Sequence, residues 1–539
     1  MTTSVLPRAR SSRRRAAVVA ALLVALGALL LSARLEQGPL PPAGVPGAGR
    51  VAVGAPPLPG REARPRVAYA GPRGRVSGPV ELQARARRAG PGARVVAVTF
   101  VVDGRPAGTD TTPPYRLEAG ASVLTAGLHH VRVQAVDRLG RRTTSRSARL
   151  DVTPGAPRET LVTGPGPGFG RALAALARGH ATVRLAPGRY PVRTLRLGDG
   201  ARLSGSGAGT VLAASTGAWS LVDARGRDIA IADLALDGRG LVGRALAVAD
   251  GSARVRVQRV AIRGVRENGV EVWGAHADVS VQDSTISGDG ARGAGVLELG
   301  SDRSRDMSVV RTEIRGFRSY GIDFAQRFYR RPAAALHNLA LDNRIAEITD
   351  PATATGRTEG GIWSGGVAAA IIGNRVRDTG WDGIQTVGSS RGTAVVGNDI
   401  ARTRTGIYIE HETTRSLIAG NTIAGVITGI NAEWRYGGHG SSENTYTRNR
   451  IVAPAQTGLF IDVAGDRNRI VGNVVAGGHG PAIVLQGASD NEVTANQSCG
   501  DTRGPVVQQQ SARHDDGVQA NSLSNWVAAN TRTAACPGP

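Results

Sequence analysis

The chain has 539 residues, is 41% hydrophobic and carries a formal net charge of +23, which is enough for several globular domains with a marked basic excess. It contains no lysine, and residues 1–158 hold 25 arginines against eight acidic residues, so the excess lies in the N-terminal third. A nucleic-acid-binding protein would show a basic stripe interleaved with aromatic residues on its main domain. The sequence has no such stripe, which excludes that class.

Residues 1–33 have the composition of an export segment. Arg8, Arg10 and the run "RRR" at 13–15 precede sixteen apolar residues, 16–31. This length lies between a signal-peptide core and a spanning helix, so both a cleaved signal peptide and an uncleaved signal anchor remain open. Leu31 occupies a position where a cleavage site would have a small residue, which favours the anchor. We therefore expect an extracellular or cell-surface protein that is held to the membrane.

Residues 34–66 are rich in proline and glycine and are predicted to form a semi-extended linker. Residues 67–153 then show short alternating apolar runs separated by turn residues, which is typical of a small antiparallel β-domain. The stretches "VTFVVDGRPAGTDTTPPYRL" and "LTAGLHHVRVQAVDRLGRRT" resemble bacterial immunoglobulin-like domains. The resemblance implies a β-sandwich that serves as a spacer or adhesive unit.

The next segment, 154–500, begins with a short amphipathic helix, "GRALAALARG", followed by "ATVRLAPGRYPV". This combination resembles the pectin-lyase-like superfamily and implies a right-handed parallel β-helix with a helical N-terminal cap. The predicted fold class is thus all-β, a parallel β-helix behind an immunoglobulin-like sandwich. Residues 501–539 are predicted to cap the open end, and Cys499 and Cys536 to pair as a disulfide there.

An asparagine recurs at the spacing of one β-helix turn. The positions, most of them in a "GN" pair, are Asn374, Asn398, Asn421, Asn449, Asn473 and Asn496. An apolar residue follows two positions after each of the first five. A repeat of this length buries its apolar face only by stacking on its neighbours, so we expect an asparagine ladder along about twelve coils.

A second landmark, glycine followed by an apolar residue, starts a strand at Gly383, Gly406, Gly429 and Gly458. Because side chains alternate along a strand, the first and third residues after each glycine point inward, and the second and fourth point outward. Three successive coils then stack their acidic residues in one outward column, formed by Glu410, Glu433 and Asp462. Like charges on neighbouring strands destabilise a sheet, which indicates a functional column.

The column defines the candidate site. Adjacent carboxyl groups would lie about 5 Å apart by strand spacing, and crowding would raise the pKa of one of them and supply an acid beside a base. We assign catalysis to Glu410, Glu433 and Asp462, with Glu433 as general acid, and add His439 as a proton carrier. Substrate-binding candidates, which include aromatic platforms for sugar rings and an arginine for a uronate, are Tyr408, Asn431, Trp434, Arg435, Tyr436, Trp363 and Gln385.

Catalytic motifs of the superfamily are not carried over. "GHG" occurs at 438–440 and 478–480, but the paired aspartates of polygalacturonases and the D-P-H-D motif of mannuronan epimerases are missing, and the lack of lysine excludes a lysine base. The predicted function is to bind and cleave or modify a polysaccharide such as a cell-wall glycan. The alternatives are a non-catalytic glycan-binding module, a Ca²⁺ site on the acidic column, or a structural spacer. No cofactor is firmly predicted, and the chain is expected to be a monomer.

Overall fold

The computed structural model describes residues 64–536, except 78–79, 91, 120–122, 154–159, 302, 327–335, 350–359, 389, 411, 434–439, 501–505, 514–518, 521 and 523. The predicted export segment and nearly all of the linker therefore lie outside the described residues. No helix in the part of the chain that is described is long and apolar enough to cross a membrane.

The N-terminal region folds as a β-sandwich. Its strands are Arg66–Tyr69, Gly74–Ser77, Val80–Arg87, Val95–Val102, Arg105–Asp110, Arg116–Ala119, Gly127–Asp137, Arg142–Thr144 and Ala148–Thr153. A small antiparallel sheet places Val80–Arg87 between Arg66–Tyr69 and Arg116–Ala119, and a larger sheet centres on Gly127–Asp137 and Val95–Val102. Phe100, fully buried, is one of the large side chains of the sandwich core.

The rest of the chain forms the β-helix, preceded by one helix, Pro167–Arg178. Its strands up to residue 326 are Thr160–Val162, Thr182–Leu185, Gly188–Val192, Leu195–Leu197, Arg202–Ser204, Thr210–Ala214, Ala218–Ala224, Ala230–Val248, Ala253–Gly274, Ala277–Gln282, Thr285–Ala291, Val296–Gly300, Arg305–Val310, Glu313–Phe317 and Tyr320–Gln326.

The strands that follow are shorter and more regular. They are Leu339–Leu341, Arg344–Ile348, Gly360–Ser364, Ala370–Ile372, Arg375–Thr379, Asp382–Thr386, Ala394–Val396, Asp399–Ala401, Thr405–Ile409, Leu417–Ala419, Thr422–Ala424, Thr428–Ala432, Thr445–Thr447, Arg450–Val452, Thr457–Ile461, Arg469–Val471, Val474–Ala476, Ile483–Gln486, Glu492–Thr494, Gln497–Cys499, Val507–Gln510, Ala512–Arg513, Gln519–Ala520, Trp526–Ala528 and Thr531–Thr533.

Each turn of the β-helix contributes one strand to each of three parallel sheets. In one coil these are Leu417–Ala419 in the first sheet, Thr422–Ala424 in the second and Thr428–Ala432 in the third, and each pairs in register with the equivalent strand of the next coil. About thirteen such turns enclose one continuous apolar core. The predicted all-β fold with a parallel β-helix is confirmed.

The asparagine repeat forms the predicted ladder at the corner between the first and second sheets. Each side-chain amide donates to the side-chain oxygen of the next asparagine, for example Asn398 Nδ2 to Asn421 Oδ1 at 2.9 Å and Asn421 Nδ2 to Asn449 Oδ1 at 2.9 Å. The glycine of the "GN" pair has a structural reason, because the residue before the asparagine has a positive φ, 62° at Gly420. The prediction of an asparagine ladder is confirmed.

The immunoglobulin-like domain packs against the side of the β-helix. Val96, Ala97 and Val136 form one buried cluster with first-sheet residues such as Leu339 and Ile372. Polar contacts flank this cluster: Gln282 Nε2 donates to Thr109 O at 2.7 Å, and Arg142 pairs with Asp342 at 2.6 Å. The run "VVAVTFVV" is therefore buried on both faces, which explains its lack of alternation. The domain is docked along the first sheet, whereas the resemblance had implied a spacer.

Both ends of the β-helix are built from the chain's own segments. Leu176 of the N-terminal helix is fully buried in the core. At the other end Trp526–Ala528 and Thr531–Thr533 continue the parallel pairing on Glu492–Thr494 and Gln497–Cys499. Cys499 and Cys536 form a disulfide with a Cα–Cα distance of 5.0 Å, so the predicted pairing is confirmed.

Candidate functional site

The outer face of the third sheet carries the predicted acidic column. Ile407, Ile430 and Leu459 lie in register on neighbouring strands and are fully buried in the core. Tyr408 and Asn431, one position later, face outward in register with each other. The inward and outward assignment made from the sequence is therefore correct for these coils.

The glycine at the second position of each strand is required by packing. A Cβ placed on Gly406 would lie within 3.0 Å of the Ile423 side chain and 2.5 Å from the carbonyl oxygen of Gly429. Real Cβ atoms do not approach other atoms so closely, so only glycine allows the third sheet to pass this near the second. This close passage fixes where the outward residues of the same strand stand.

The three acidic residues follow directly after equivalent strands. Their backbone amides continue the ladder, because Glu433 N donates to Ile409 O at 3.1 Å and Asp462 N to Ala432 O at 2.9 Å. Glu410 is 8% exposed, and its Oε2 accepts a hydrogen bond from Gly388 N at 3.4 Å. Glu433 and Asp462 are half-buried. The residues thus occupy successive rungs of one column.

Amide side chains extend this column toward the C-terminus. Gln510 Nε2 donates to Gln486 Oε1 at 2.5 Å, and Gln486 Nε2 donates to Asp462 Oδ1 at 3.4 Å. Asn431 Nδ2 donates to Glu433 Oε2 at 3.4 Å from the same face. These amides thus hold the carboxyl groups of Asp462 and Glu433 by donated hydrogen bonds. The sequence offered a signal for this extension, since both glutamines occupy the outward position of their coils.

A cleft of about 210 Å³ opens beside the column. Its lining includes Trp381, Arg404, Tyr408, Asn431, Glu433 and Gln456. The Arg404 guanidinium stacks over the Trp381 ring at 4.0 Å, which forms one wall. Asn431 Oδ1 is buried and accepts no hydrogen bond from the described residues. The cleft therefore combines aromatic surface, a cation, an amide acceptor and one carboxylate.

The other predicted binding residues have different positions. Gln385 is half-buried and lies in register with Tyr408 on the neighbouring strand. Trp363 is 9% exposed, stacks on Tyr320 with a centroid distance of 5.7 Å and packs with Val387. It belongs to an apolar cluster outside the cleft lining. Trp434, Arg435, Tyr436 and His439 lie outside the described residues and stay predictions.

The same outer face holds buried ionic groups nearer the N-terminus. Glu271, fully buried, accepts from Arg244 and Asn268, and Arg244 also pairs with Glu267 at 3.0 Å. Arg244 lies over the exposed Trp219 ring at 3.5 Å. Nothing in the sequence pattern distinguished these residues from ordinary surface charges, because their pairing depends on neighbouring coils.

A second buried group occupies the next coils. His276 Nε2 and Glu298 Oε1 lie 3.0 Å apart, and Asn338 Nδ2 donates to Glu298 Oε2 at 2.5 Å. Burial lowers the pKa of His276, but the hydrogen bond and charge of Glu298 outweigh it and raise that pKa. Burial, helped by the Glu298 charge, raises the pKa of Asp323 well above its usual range. The environment of Asp323 in the wall of the third sheet therefore favours the protonated form of its carboxyl group.

The described residues contain no group of three or more His, Cys, Asp or Glu side chains that could hold a metal ion. Glu410, Glu433 and Asp462 are all described and do not converge in this way. The column is an extended row along the coils, whereas Ca²⁺ needs oxygen ligands that surround one point.

Parts of both domains match known protein families. Residues 254–514 match the family described as periplasmic copper-binding protein (NosD), and residues 65–133 match the bacterial Ig domain family. A search of curated proteins finds no significant match.

Solved structures with related architecture are distant. The A-module of mannuronan C-5 epimerase AlgE4 from Azotobacter vinelandii is 16% identical over 68% of this chain and 97% of that chain, with a TM-score of 0.37. PfbA, a surface adhesin of Streptococcus pneumoniae, is 11% identical over 68% and 94%, with a TM-score of 0.31. The fibronectin(III)-like modules of CbhA from Clostridium thermocellum are 26% identical over 17% of this chain and 48% of that chain, with a TM-score of 0.15.

This chain thus spans about half of the CbhA modules, and at TM-scores below 0.5 none of these likenesses transfers an activity to it. The family matches and the topology agree, however, on the two domains. The chain combines an immunoglobulin-like domain, most of which matches the bacterial Ig domain family, with a parallel β-helix, most of which matches the family described as periplasmic copper-binding protein (NosD).

Proposed function

We propose that this protein is exported and binds an extracellular polysaccharide on the outer face of the third sheet, where it cleaves or modifies the chain. The observation that carries the proposal is the cleft beside the acidic column, in which Glu433 lies next to Tyr408 and Asn431. Export is supported by the arginine-rich flank and apolar run of residues 1–33, and by a family description that names the periplasm.

The cleft has the chemistry that a sugar ring requires. Trp381 is half-buried and lines the cleft, so the part of its ring that Arg404 leaves uncovered offers a surface on which the C–H face of a pyranose can stack. Tyr408 also lines the cleft but is only 5% exposed. Asn431 Oδ1, buried and without a donor among the described residues, would accept a hydrogen bond from a sugar hydroxyl. Binding would therefore satisfy a polar atom that is otherwise desolvated at a cost.

The column supplies a proton donor and a proton acceptor. We assign Glu433 as general acid and Asp462 or Glu410 as base, because each lies one coil from Glu433 and coils are about 4.8 Å apart. In hydrolysis at this spacing, Asp462 or Glu410 would attack the anomeric carbon while Glu433 protonates the departing glycosidic oxygen, and water would then release the sugar from the carboxylate with Glu433 acting as base. In elimination or epimerisation the base would instead remove a ring proton.

The test compares turnover of a panel of neutral and acidic glycans by the wild-type protein and Glu433→Gln. The substitution keeps the shape but removes the proton, so turnover should fall by about 10²-fold or more while glycan binding is retained. Glu313→Gln, at an exposed position on the second sheet, is the matched control and should leave turnover unchanged. New reducing ends identify hydrolysis, and unsaturated ends identify elimination.

Two results would contradict the assignment. If wild-type protein binds a glycan but turns none over, the face is a binding surface and the catalytic part fails. If Glu433→Gln retains full turnover, the acid lies elsewhere. We do not extend copper binding to this chain, because its two cysteines are joined in a disulfide and the described residues hold no cluster of metal ligands.

A further inference from the structure

The outer face of the smaller immunoglobulin sheet carries several exposed arginines. Arg66 lies directly opposite Arg87 on the neighbouring antiparallel strand, and Ala68 lies opposite Arg85. Side chains two positions apart share a face, so these three arginines project from one side of two adjacent strands. All three are exposed, and the exposed Arg64 and Arg88 flank them. Like charges directly opposite each other destabilise a sheet, so fold stability does not explain the arrangement.

The acidic residues of the same face do not neutralise the cluster. Glu81 pairs with Arg116 at 3.3 Å, and Glu118 pairs with Arg202 of the β-helix at 2.7 Å. Within the described residues no carboxylate pairs with Arg66, Arg85 or Arg87. Part of the opposite sheet is covered, because Val96, Ala97 and Val136 pack on the β-helix. The arginine face is exposed and is therefore open to a partner.

The sequence indicates which anion would be closest. The predicted export segment ends at residue 33, and about 30 residues of proline- and glycine-rich chain connect it to Arg64. In a polyproline II conformation, with a rise of ~3.1 Å per residue, a linker of this length spans about 100 Å. If the N-terminal segment serves as an anchor, this tether would give the arginine face a high effective concentration toward phospholipid headgroups.

We propose that the face formed by Arg66, Arg85 and Arg87 binds anionic phospholipid headgroups of the membrane that holds the N-terminal segment. Guanidinium groups bind phosphate oxygens in bidentate geometry and attract an anionic surface beyond direct contact. A second, electrostatic attachment besides the apolar segment would keep the docked β-helix close to the membrane. This inference does not depend on the proposed glycan activity.

The test uses the full chain with one added thiol. Both native cysteines are in the disulfide, so Ala68→Cys, exposed between the arginines, introduces the single reactive thiol for a fluorophore. Energy transfer to acceptor-labelled lipids is then measured in phosphatidylglycerol and phosphatidylcholine vesicles. Transfer should be about threefold or more higher on the anionic vesicles and should fall toward the neutral value in 1 M salt, where the screening length is about 3 Å.

Variants locate the effect on this face. Arg66→Gln, Arg85→Gln and Arg87→Gln together should abolish the difference between the two vesicle types. The matched control removes three exposed arginines of the larger sheet, Arg105, Arg132 and Arg149, and should preserve it. Equal transfer on both vesicle types, or an equal loss in the control, would overturn the proposal. It would also fail if soluble polyphosphate bound this face while anionic vesicles did not, because the partner would then be a phosphate polymer.

Discussion

The two halves of the β-helix solve the same stacking problem with different chemistry. In the C-terminal coils, residues 370–500, neutral amides fill the corner in a continuous ladder through Asn421 and its neighbours. In the N-terminal coils, residues 182–325, the equivalent corner positions are Val260, Ser284 and Thr312, and ionic groups such as Arg244–Glu271 are buried on the third sheet. The asparagine ladder repeats the same hydrogen bond from coil to coil. A buried ion pair occurs in one place and depends on one particular partner residue.

The largest effect is expected from breaking the ladder. Asn421, fully buried, accepts from Asn398 N and Nδ2 at 2.9 Å and donates to Val395 O at 3.0 Å and Asn449 Oδ1 at 2.9 Å. Asn421→Ala should lower the free energy of unfolding by about 4 kcal/mol or more, because several buried groups lose their partners at once. The measurement is denaturant unfolding, with Thr422→Ala at the adjacent exposed position as control. A loss as small as that of the control would show that water replaces the ladder.

The buried ion pair should behave differently from the ladder. Glu271→Leu leaves the Arg244 guanidinium, 4% exposed, with Glu267 as its remaining acid, and should cost about 3 kcal/mol. Adding Arg244→Met should recover most of this loss, because no charge then remains buried. Chemical denaturation of the two variants measures the recovery. If the double variant loses as much unfolding free energy as Glu271→Leu alone, side-chain packing and not buried charge determines stability at this site.

The smallest effect concerns pH. The pKa of Asp323 is raised in the folded state by burial and by the Glu298 charge, so between its ordinary and raised values the folded state holds a proton that the unfolded state has lost. Stability from this group is therefore lost as pH rises through that window. Asp323→Asn should raise the melting temperature at pH 8 relative to wild type and change it little at pH 4.

The contribution of His276 to the stability of the fold also decreases as pH rises, because its pKa is raised in the folded state. Its contribution is retained in Asp323→Asn, which separates the two groups. Asp289→Asn, at an exposed position, is the control and should show no such difference. A melting temperature that is lower for Asp323→Asn at pH 8 would mean that Asp323 is charged and stabilising in the fold.

The repeat itself is determined by the sequence. The coil period, the corner asparagines and the glycines at the second position of the strands are visible because each follows from contacts between equivalent positions of adjacent coils. Gly406, for example, must lack a Cβ because that atom would collide with the carbonyl oxygen of Gly429 on the next coil. The inward and outward faces of the third sheet follow from simple alternation, so the acidic column of Glu433 and its neighbours could be located before any coordinates.

The tertiary structure determined which other segments of the chain pack against the faces of the β-helix. The docking of the immunoglobulin-like domain joins Thr109 to Gln282, 173 positions apart, and no periodic pattern encodes that contact. The wall formed by Trp381 and Arg404, and the burial of Trp363 against Tyr320, likewise depend on neighbours in other coils. The sequence repeat shows only how one coil packs on the next equivalent coil. Contacts between segments that are not equivalent were visible only in the folded structure.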